Sequence, residues 1–289
     1  MNLSTFFANA QRVLLNPHML YKWIYWQRRH LGWSPQIQAT AQTEIRGFES
    51  FSEYYSADSL LPSSEERRFI DRYTAKSGII FDVGANLGVF TAVLSELRQE
   101  CRIFSVEPSP KTFEKLRQNV QSNAITNVFC HEIAFGVEAG RMGFVDDRKS
   151  PATNRLASKF DALRGDHVIE VLVGRLDDFC RDHEVERISF IKIDVEGFEQ
   201  DVLEGGLRMF AEQRIDLGLI EVCPGNLVRL GRSPAGFLAS IAAVGCELRA
   251  INADGSIGSL MTEDVLCRVS LTNGALIPHH RLAELMHHS

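Results

Sequence analysis

Residues 81–88 read Phe-Asp-Val-Gly-Ala-Asn-Leu-Gly and join an apolar run, residues 79–83, to a helical pattern that begins at Val89. Gly84 and Gly88 let the backbone turn tightly and let a ligand approach without a Cβ in the way. The helix that follows directs free N–H groups toward the same turn. The stretch therefore predicts a strand, a ligand-binding turn and a helix in succession.

The spacing of these glycines separates two classes of cofactor. A dinucleotide-binding turn reads Gly-x-Gly-x-x-Gly, whereas this one reads Asp-x-Gly-x-x-x-Gly, with Asp82 at the tip of the strand. A carboxylate there repels a pyrophosphate and attracts a cationic amine. The pattern favours S-adenosyl-L-methionine, which carries an ammonium and a sulfonium, over a nicotinamide dinucleotide.

Apolar runs and helical stretches alternate around this turn. The predicted strands cover residues 79–83, 102–106, 128–133, 168–173, 188–193, 217–222, 247–251 and 265–269. The predicted helices cover residues 63–75, 89–97, 112–122, 198–210 and 234–244. Such alternation indicates an α/β fold, with a parallel sheet and helices on both of its faces. Ligands of these sheets bind beyond the carboxyl ends of the strands, and residues 146–166 are predicted to form a long polar loop able to cover that edge.

Acidic residues end several of the predicted strands. Glu107 follows the second strand, where a carboxylate can accept the hydroxyl hydrogens of a ribose. Asp194 and Glu221 end two later strands, and Lys192 shares a strand face with Asp194. With Asp82, four acids converge on one crevice and require cations or hydrogen bonds. The cofactor supplies cations; a bound metal stays open, and no metal ligand is assigned.

Five motifs resemble, in this order, those of the FkbM family of S-adenosylmethionine-dependent methyltransferases. They are Asp-Val-Gly-Ala-Asn-x-Gly, Val-Glu-Pro-Ser-Pro, Leu-Asp-Asp-Phe at residues 176–179, Lys-Ile-Asp-Val-Glu-Gly and Ile-Glu-Val. The resemblance runs from about residue 79 to residue 222. It implies a class I methyltransferase fold, which is a Rossmann-like, mostly parallel sheet with a C-terminal antiparallel hairpin, here residues 247–251 and 265–269. It also implies O-methylation of a hydroxyl on a sugar or natural-product scaffold.

The resemblance also implies a set of site residues. Asp194 would lie by the transferring methyl group. The expected cofactor-binding residues are Asp82, Gly84, Asn86 and Gly88 at the methionine end and Glu107 at the ribose, together with Ala85, Pro108 and Asp194. Residues 1–62 and 146–168 have no counterpart in the family pattern, and we expect them to select the substrate.

Direct displacement requires the acceptor hydroxyl to lose its proton to a base within hydrogen-bond reach. The candidates are Asp194, Glu196 and His131, in that order. Two other classes stay open: a non-catalytic binding or scaffold protein that retains the cofactor fold, and a nicotinamide-dependent oxidoreductase, which the glycine spacing disfavours.

Composition and charge restrict the classes of partner and the cellular location that we expect. The chain has 289 residues, of which 45% are hydrophobic and 24% charged, and a net charge of −6. An acidic body disfavours nucleic acid as a partner. The six cysteines form no Cys-x-x-Cys pair, which is typical of reduced thiols in the cytosol. Neither a secretion signal nor an apolar run long enough to span a membrane is evident, so we expect a cytoplasmic protein.

The N-terminal segment differs in composition from the rest. Residues 1–43 contain no Asp or Glu, four basic residues and all three tryptophans, Trp23, Trp26 and Trp33. Asn16-Pro17 predicts the start of a helix. We divide the chain into a helical, aromatic extension, residues 1–62, and a methyltransferase domain, residues 63–289. The helix is expected to pack on that domain or across a homodimer, or to contact a membrane surface through residues 17–33.

Overall fold

The computed structural model describes residues 17–51, 54, 60–146, 155–156 and 167–287, and the side chains of the first helix from residue 21 onward. The strands are β1 (Gln36–Gln38), β2 (Glu44–Arg46), β3 (Ser77–Val83), β4 (Glu100–Val106), β5 (Val128–His131), β6 (Ala134–Phe135), β7 (Gly140–Val145), β8 (Arg155–Leu156), β9 (Val168–Gly174), β10 (Phe190–Ile193), β11 (Gly218–Val222), β12 (Cys246–Ile251), β13 (Ile257–Leu260) and β14 (Thr272–Pro278). The helices are α1 (Pro17–His30), α2 (Ser64–Tyr73), α3 (Val89–Leu97), α4 (Pro110–Ser122), α5 (Leu176–Asp182), α6 (Glu199–Gly205), α7 (Leu207–Ala211), α8 (Pro224–Arg229), α9 (Pro234–Ala243), α10 (Glu263–Leu266) and α11 (His279–His287).

Eight strands form the central sheet, in the order β13-β12-β14-β11-β10-β3-β4-β5. The five strands from β11 to β5 are parallel, and β14 runs antiparallel between β11 and β12. From β3 the chain proceeds to β4 and β5 on one side and to β10 and β11 on the other, so the strand order reverses between β3 and β10. This topology confirms the predicted Rossmann-like, mostly parallel sheet and places its ligand crevice between those strands.

Helices cover both faces of the sheet, because alternate residues of each buried strand point to opposite sides. In β3, Phe81 and Val83 belong to a core that includes side chains of α6 and α9. Ile80, which directly precedes Phe81, belongs to a second core with side chains of α2, α3 and α11. Central strands buried on both sides are typical of parallel sheets.

The predicted C-terminal hairpin is partly wrong. Its first strand is β12, but residues 265–269 do not form its partner, since Val265 and Leu266 lie in the short helix α10. The hairpin partner of β12 is β13, and the other antiparallel neighbour of β12 is β14. The sequence pattern hides β14 because its Thr-Asn-Gly start is typical of a turn, yet Gly274 is required inside the sheet: a Cβ there would lie 2.5 Å from Cδ1 of Leu248.

Two other elements differ from the prediction. The helix expected over residues 198–210 is divided at Gly206 into α6 and α7, where a Cβ would lie 2.9 Å from Cδ2 of Leu176. The strand expected over residues 168–173 forms as β9 but lies outside the parallel sheet, in a four-stranded sheet of order β6-β9-β7-β8. Within the expected polar loop, Arg155–Leu156 forms β8, and residues 147–154 and 157–166 lie outside the described residues.

The segment before residue 62 packs on the sheet domain. Ile37 and Ile45 of the β1-β2 hairpin share an apolar cluster with Leu87 and Val89. The side chain of Asn119 in α4 accepts a hydrogen bond from the backbone N–H of Arg46 at 2.9 Å and donates to the carbonyl of Arg46 at 3.1 Å. The division of the chain at residue 62 stays a prediction.

Helix α1 has one buried aromatic side chain among several exposed ones. The ring of Tyr25 is buried and lies 5.5 Å from that of Phe51 and 6.1 Å from that of Trp33. Trp23 and Trp26 remain about half exposed. In the part of the chain that the structure describes, no helix is long and apolar enough to cross a membrane. Membrane-surface contact through residues 17–33 and a homodimer both stay predictions.

We expect Asn119→Ala to lower the free energy of unfolding by about 1–3 kcal/mol, because the partly buried backbone groups of Arg46 and the buried carbonyl of Leu87 lose their partner. Gln121→Ala, an exposed position of the same helix, is the matched control. Urea denaturation of both variants checks this. Equal stabilities would mean that Asn119 does not hold the hairpin to the domain.

Candidate functional site

A pocket lies at the carboxyl ends of β3, β4, β10 and β11, where the strand order reverses. It contains about 1160 Å³ of empty space, its open mouth included. Eight of the residues that the sequence analysis placed at the site line it: Gly84, Ala85, Asn86, Glu107, Pro108, Asp194, Glu196 and Glu221. Asp82, Gly88 and His131 do not line it.

The turn at residues 84–86 is held by the neighbouring strands. Gly84 has a φ of 83°, and a Cβ on it would lie 1.8 Å from the carbonyl oxygen of Asp194. The N–H groups of Gly84 and Ala85 both donate to the carbonyl of Val106, at 3.0 and 2.9 Å. The close approach of the chain after β10 therefore requires glycine at position 84, whether or not a ligand binds at the turn.

Gly88 has a packing role instead of the predicted contact with a ligand. It caps the start of α3 with a φ of 87°, a left-handed conformation that favours glycine. A Cβ there would lie 2.7 Å from Cδ1 of Leu116 in α4. Gly88 thus sets the approach of α3 to α4 and does not face the pocket.

Glu107 is fixed beside the turn by two backbone groups. Its Oε2 accepts a hydrogen bond from the N–H of Asn86 at 3.1 Å, and its Oε1 accepts one from the N–H of Ser109 at 2.9 Å. Burial raises the pKa of Glu107 to about 7, although these two hydrogen bonds oppose the shift. A carboxylate held this way presents its remaining lone pairs to the pocket in a defined orientation.

Asp82 lies below the turn and does not contact the pocket. Its side chain is fully buried, its Oδ2 accepts a hydrogen bond from Oγ1 of Thr91 at 2.6 Å, and its Oδ1 lies 3.7 Å from Nζ of Lys192. Burial raises the pKa of Asp82, while Lys192 and Thr91 oppose this. Asp82 points to the same face of the sheet as Lys192, with which it pairs in register, but Lys192 and Thr91 engage its carboxylate below the pocket lining. The predicted contact between Asp82 and a cofactor stays a prediction.

Lys192 connects this buried acid to the pocket. Its Nζ donates to Oδ2 of Asp194 at 2.9 Å and lies 4.9 Å from the centre of the Phe90 ring. Burial opposes the charge on Lys192, but the carboxylates of Asp194 and Asp82 outweigh it and raise its pKa. Lys192 is thus a buried cation between two strand-end acids.

Three carboxylates converge at the other side of Lys192. Asp194, Glu196 and Glu221 each offer one oxygen, and these oxygens lie within 4.8 Å of one another. Oε2 of Glu196 accepts a hydrogen bond from Nδ2 of Asn226 at 2.8 Å. Burial raises the pKa of Glu196 to about 7, and the charge of Asp194 adds to the shift. Burial also raises the pKa of Glu221 well above its ordinary value, again with a contribution from Asp194.

Glu199 is a buried acid whose carboxylate binds backbone N–H groups. Its Oε1 accepts hydrogen bonds from the N–H groups of Val195 and Gly197, at 3.1 and 3.0 Å. It therefore fixes the turn that carries Glu196. The sequence analysis assigned Glu199 to no site, and the structure gives it a supporting position.

His131 is not brought to the pocket. Its ring centre lies 4.9 Å from those of Phe179 and His183, in an aromatic cluster on one face of the sheet. Burial lowers its pKa. The structure thus separates this third candidate base from Asp194 and Glu196.

Four polar residues of the pocket were given no role from sequence: Glu66, Arg155, Lys192 and Asn273. Asn273 in β14 pairs in register with Glu221 and donates from Nδ2 to Oε1 of Glu66 at 2.6 Å. Because β14 was not predicted, nothing in the sequence pattern placed Asn273 at this edge.

Comparisons with known proteins agree with the motif order. The family model of the methyltransferase FkbM domain matches residues 82–240, over half of the chain. Methyltransferase 1 of Beauveria bassiana is 28% identical over 144 residues, 44% of this chain and 57% of that protein. The 2-O-methyltransferase NoeI of Sinorhizobium fredii is 28% identical over 161 residues, 51% of this chain and 65% of that protein. The hexuronic acid methyltransferase AglP of Haloferax volcanii is 24% identical over 195 residues, 65% of this chain and 77% of that protein. The aligned part covers less than two thirds of the first two relatives.

We expect Lys192→Met to destabilise the protein by about 3–5 kcal/mol at pH 8, because it leaves Asp82 buried without its cation. The folded-state pKa of Asp82 is already raised, so protonation relieves the penalty and the loss shrinks as pH falls toward 5. Chemical denaturation at both pH values measures this. Lys111→Met, which removes an exposed ion pair with Glu49, should cost at most about 1 kcal/mol. A loss independent of pH would contradict this interpretation.

Proposed function

Because the chain belongs to the FkbM family of methyltransferases, we propose that it transfers the methyl group of S-adenosyl-L-methionine to a hydroxyl oxygen of a sugar or another small molecule. The observation that carries the proposal is the Glu107 carboxylate, which two backbone N–H groups fix at the end of β4 beside the turn at residues 84–86. A carboxylate in this position suits the two ribose hydroxyls of a nucleoside.

The rest of the pocket suits the other parts of the cofactor. Ile133, Phe144 and Leu156 offer an apolar wall to the adenine ring. On the far side of the turn, Asp194, Glu196 and Glu221 supply negative charge for the ammonium and sulfonium groups. In this arrangement Asp82 affects the cofactor site indirectly, because it holds Lys192 in place. Gly88 affects the site through the position of helix α3.

A sugar acceptor is supported by the relatives. NoeI is a 2-O-methyltransferase and AglP a hexuronic acid methyltransferase by name. The pocket is open at its mouth, so an acceptor can reach the carboxylate cluster from solvent. The expected contribution of residues 1–62 and 146–168 to substrate choice stays part of this proposal.

The reaction is a direct displacement. A lone pair of the acceptor oxygen forms a bond to the methyl carbon while the carbon–sulfur bond breaks, and its electron pair goes to sulfur, giving neutral S-adenosylhomocysteine. The hydroxyl proton passes to Asp194 or Glu196, which face the pocket. Glu196 suits a base at neutral pH because its pKa is about 7. Holding the two reactants in line can supply about 7–11 kcal/mol of the barrier reduction.

Mass spectrometry with methyl-labelled S-adenosylmethionine tests the activity. The protein is incubated with a panel of hexoses, uronic acids and their glycosides, and we expect a labelled methyl ether together with an equal amount of S-adenosylhomocysteine. Tight cofactor binding without turnover on any acceptor would favour the non-catalytic binding protein. Binding of a nicotinamide dinucleotide without binding of S-adenosylmethionine would overturn the proposal.

We expect Asp194→Asn to lower turnover by at least about 100-fold, because the substituted amide cannot accept the hydroxyl proton. Cofactor affinity, measured by calorimetry, should fall much less than turnover, because the loss of one of three carboxylates near the sulfonium leaves Glu196, Glu221 and the ribose contact at Glu107 in place. Glu204→Gln, at an exposed position of α6, is the control and should leave turnover unchanged. Wild-type turnover in Asp194→Asn would remove this residue from the mechanism.

Cofactor affinity should depend on pH through Glu107. Its pKa of about 7 falls when ribose hydroxyls donate to the carboxylate, so binding favours the ionised form and weakens as pH drops below 7. We expect a dissociation constant about tenfold higher at pH 6 than at pH 8. Calorimetry on Glu107→Gln should give weaker binding with a flatter pH profile. A wild-type slope in that variant would assign the titration to another group.

A further inference from the structure

We propose that Asp194, Glu196 and Glu221 bind one hard divalent cation, of the Mg²⁺ or Mn²⁺ class, at the acceptor end of the pocket. The inference deepens the proposed function and rests on it for the role of the ion. Binding itself is argued from the three carboxylates alone, and it can be measured without the reaction.

The three ligands come from two segments of the chain that the sheet holds together. Asp194 follows β10, Glu196 lies in the turn after it, and Glu221 belongs to the adjacent strand β11. Their oxygens lie within 4.8 Å of one another. Around an Mg²⁺ ion with bonds of 2.0–2.1 Å, opposite ligands lie at most about 4.2 Å apart, so shifts of several tenths of an ångström complete the set.

One of these carboxylates lacks a partner. The Glu221 side chain is 9% exposed, and none of the described residues donates a hydrogen bond to its Oε2. A buried, unpaired carboxylate oxygen is strongly unfavourable. Of the three acids, Glu221 has the least room to turn toward solvent. It lies on the central strand β11, in which every residue is buried. A cation at the cluster supplies the missing partner.

The basic side chains nearby leave the cluster negative. Lys192 engages Oδ2 of Asp194, faces Asp82 and also acts through its charge on Glu221, so one cation is shared among three acids. Arg229 donates to the backbone carbonyl of Glu196, and its charge also acts on the Glu196 carboxylate, so two cations face the four acids Asp82, Asp194, Glu196 and Glu221. The other oxygen of Asp194, together with Glu196 and Glu221, stays available to a further cation.

The donor set selects the kind of ion. The cluster consists of carboxylates, with no His or Cys among the described residues that form it. Such oxygen ligands suit Mg²⁺ or Mn²⁺ and not Zn²⁺, for which sulfur and imidazole are the common ligands. Mg²⁺ held by few protein ligands keeps exchangeable positions, so the acceptor oxygen can enter one of them and have its pKa lowered.

Titration of the chelator-treated, full-length protein with Mn²⁺, followed by the electron paramagnetic resonance of free Mn²⁺, tests the site. It is run with and without S-adenosylhomocysteine. We expect one specific site in at least one of these states, with Mg²⁺ competing for it. Glu221→Gln should weaken Mn²⁺ binding at least about tenfold. Asp264→Asn, which alters an exposed carboxylate paired with Arg268, should bind as the wild type does.

Two results would overturn the site: no Mn²⁺ binding to the folded wild type in either state, or wild-type affinity in Glu221→Gln. Either would mean that protons or the sulfonium of the cofactor neutralise these acids. If Glu221→Gln fails to fold by circular dichroism, Glu196→Gln, at a half-buried position, replaces it with the same expected loss.

The failure of this inference can be told apart from that of the proposed function. Calorimetry with S-adenosylmethionine in the presence of a chelator reports the nucleoside site alone. Cofactor binding without an Mn²⁺ site removes the ion and keeps the methyltransferase. An Mn²⁺ site without cofactor binding removes the proposed function and keeps the ion.

Discussion

Lys192 allows this sheet to carry several acids at one edge. It pairs in register with Asp82 on the neighbouring strand and donates to Asp194 two residues later, so one buried cation serves two strands. Carboxylates this deep would otherwise require protonation. The charge of Lys192 is shared among Asp82, Asp194 and Glu221, and Arg229 acts on Glu196, so the negative charge of these four acids is only partly compensated. This uncompensated negative charge suits the binding of a cationic cofactor and a metal ion.

The second constraint is the rigidity of the turn at residues 84–86. Its N–H groups are used by Val106 and Glu107, and the carbonyl of Asp194 leaves no room for a side chain at Gly84. The turn, the ribose-binding acid and the strand end that carries Asp194 are therefore fixed relative to one another before any ligand arrives. A displacement reaction benefits from such preorganisation, because its barrier depends on the alignment of three atoms.

Much of this was predictable from sequence, and the exceptions have physical causes. Helix α3 matches its predicted bounds, and most parallel strands match theirs within a few residues, because apolar runs between turn residues are strong signals. Motif order predicted the family, and the family match confirms it. Strand β14 was missed because its start resembles a turn, and Asn273 was missed with it. Asp82 and His131 were predicted to face the pocket, but neither lines it. The side chains that engage them come from other helices and strands, so the local sequence pattern does not reveal them.

The central claim is that Glu107 and the strand-end acids hold a sulfonium nucleoside in this crevice. A crystal structure of the protein with S-adenosylhomocysteine tests it most directly. The account predicts that both ribose hydroxyls lie within hydrogen-bond distance of the Glu107 carboxylate, with the sulfur on the side of Asp194, Glu196 and Glu221. A nucleoside bound elsewhere, or one whose ribose faces away from Glu107, would contradict it.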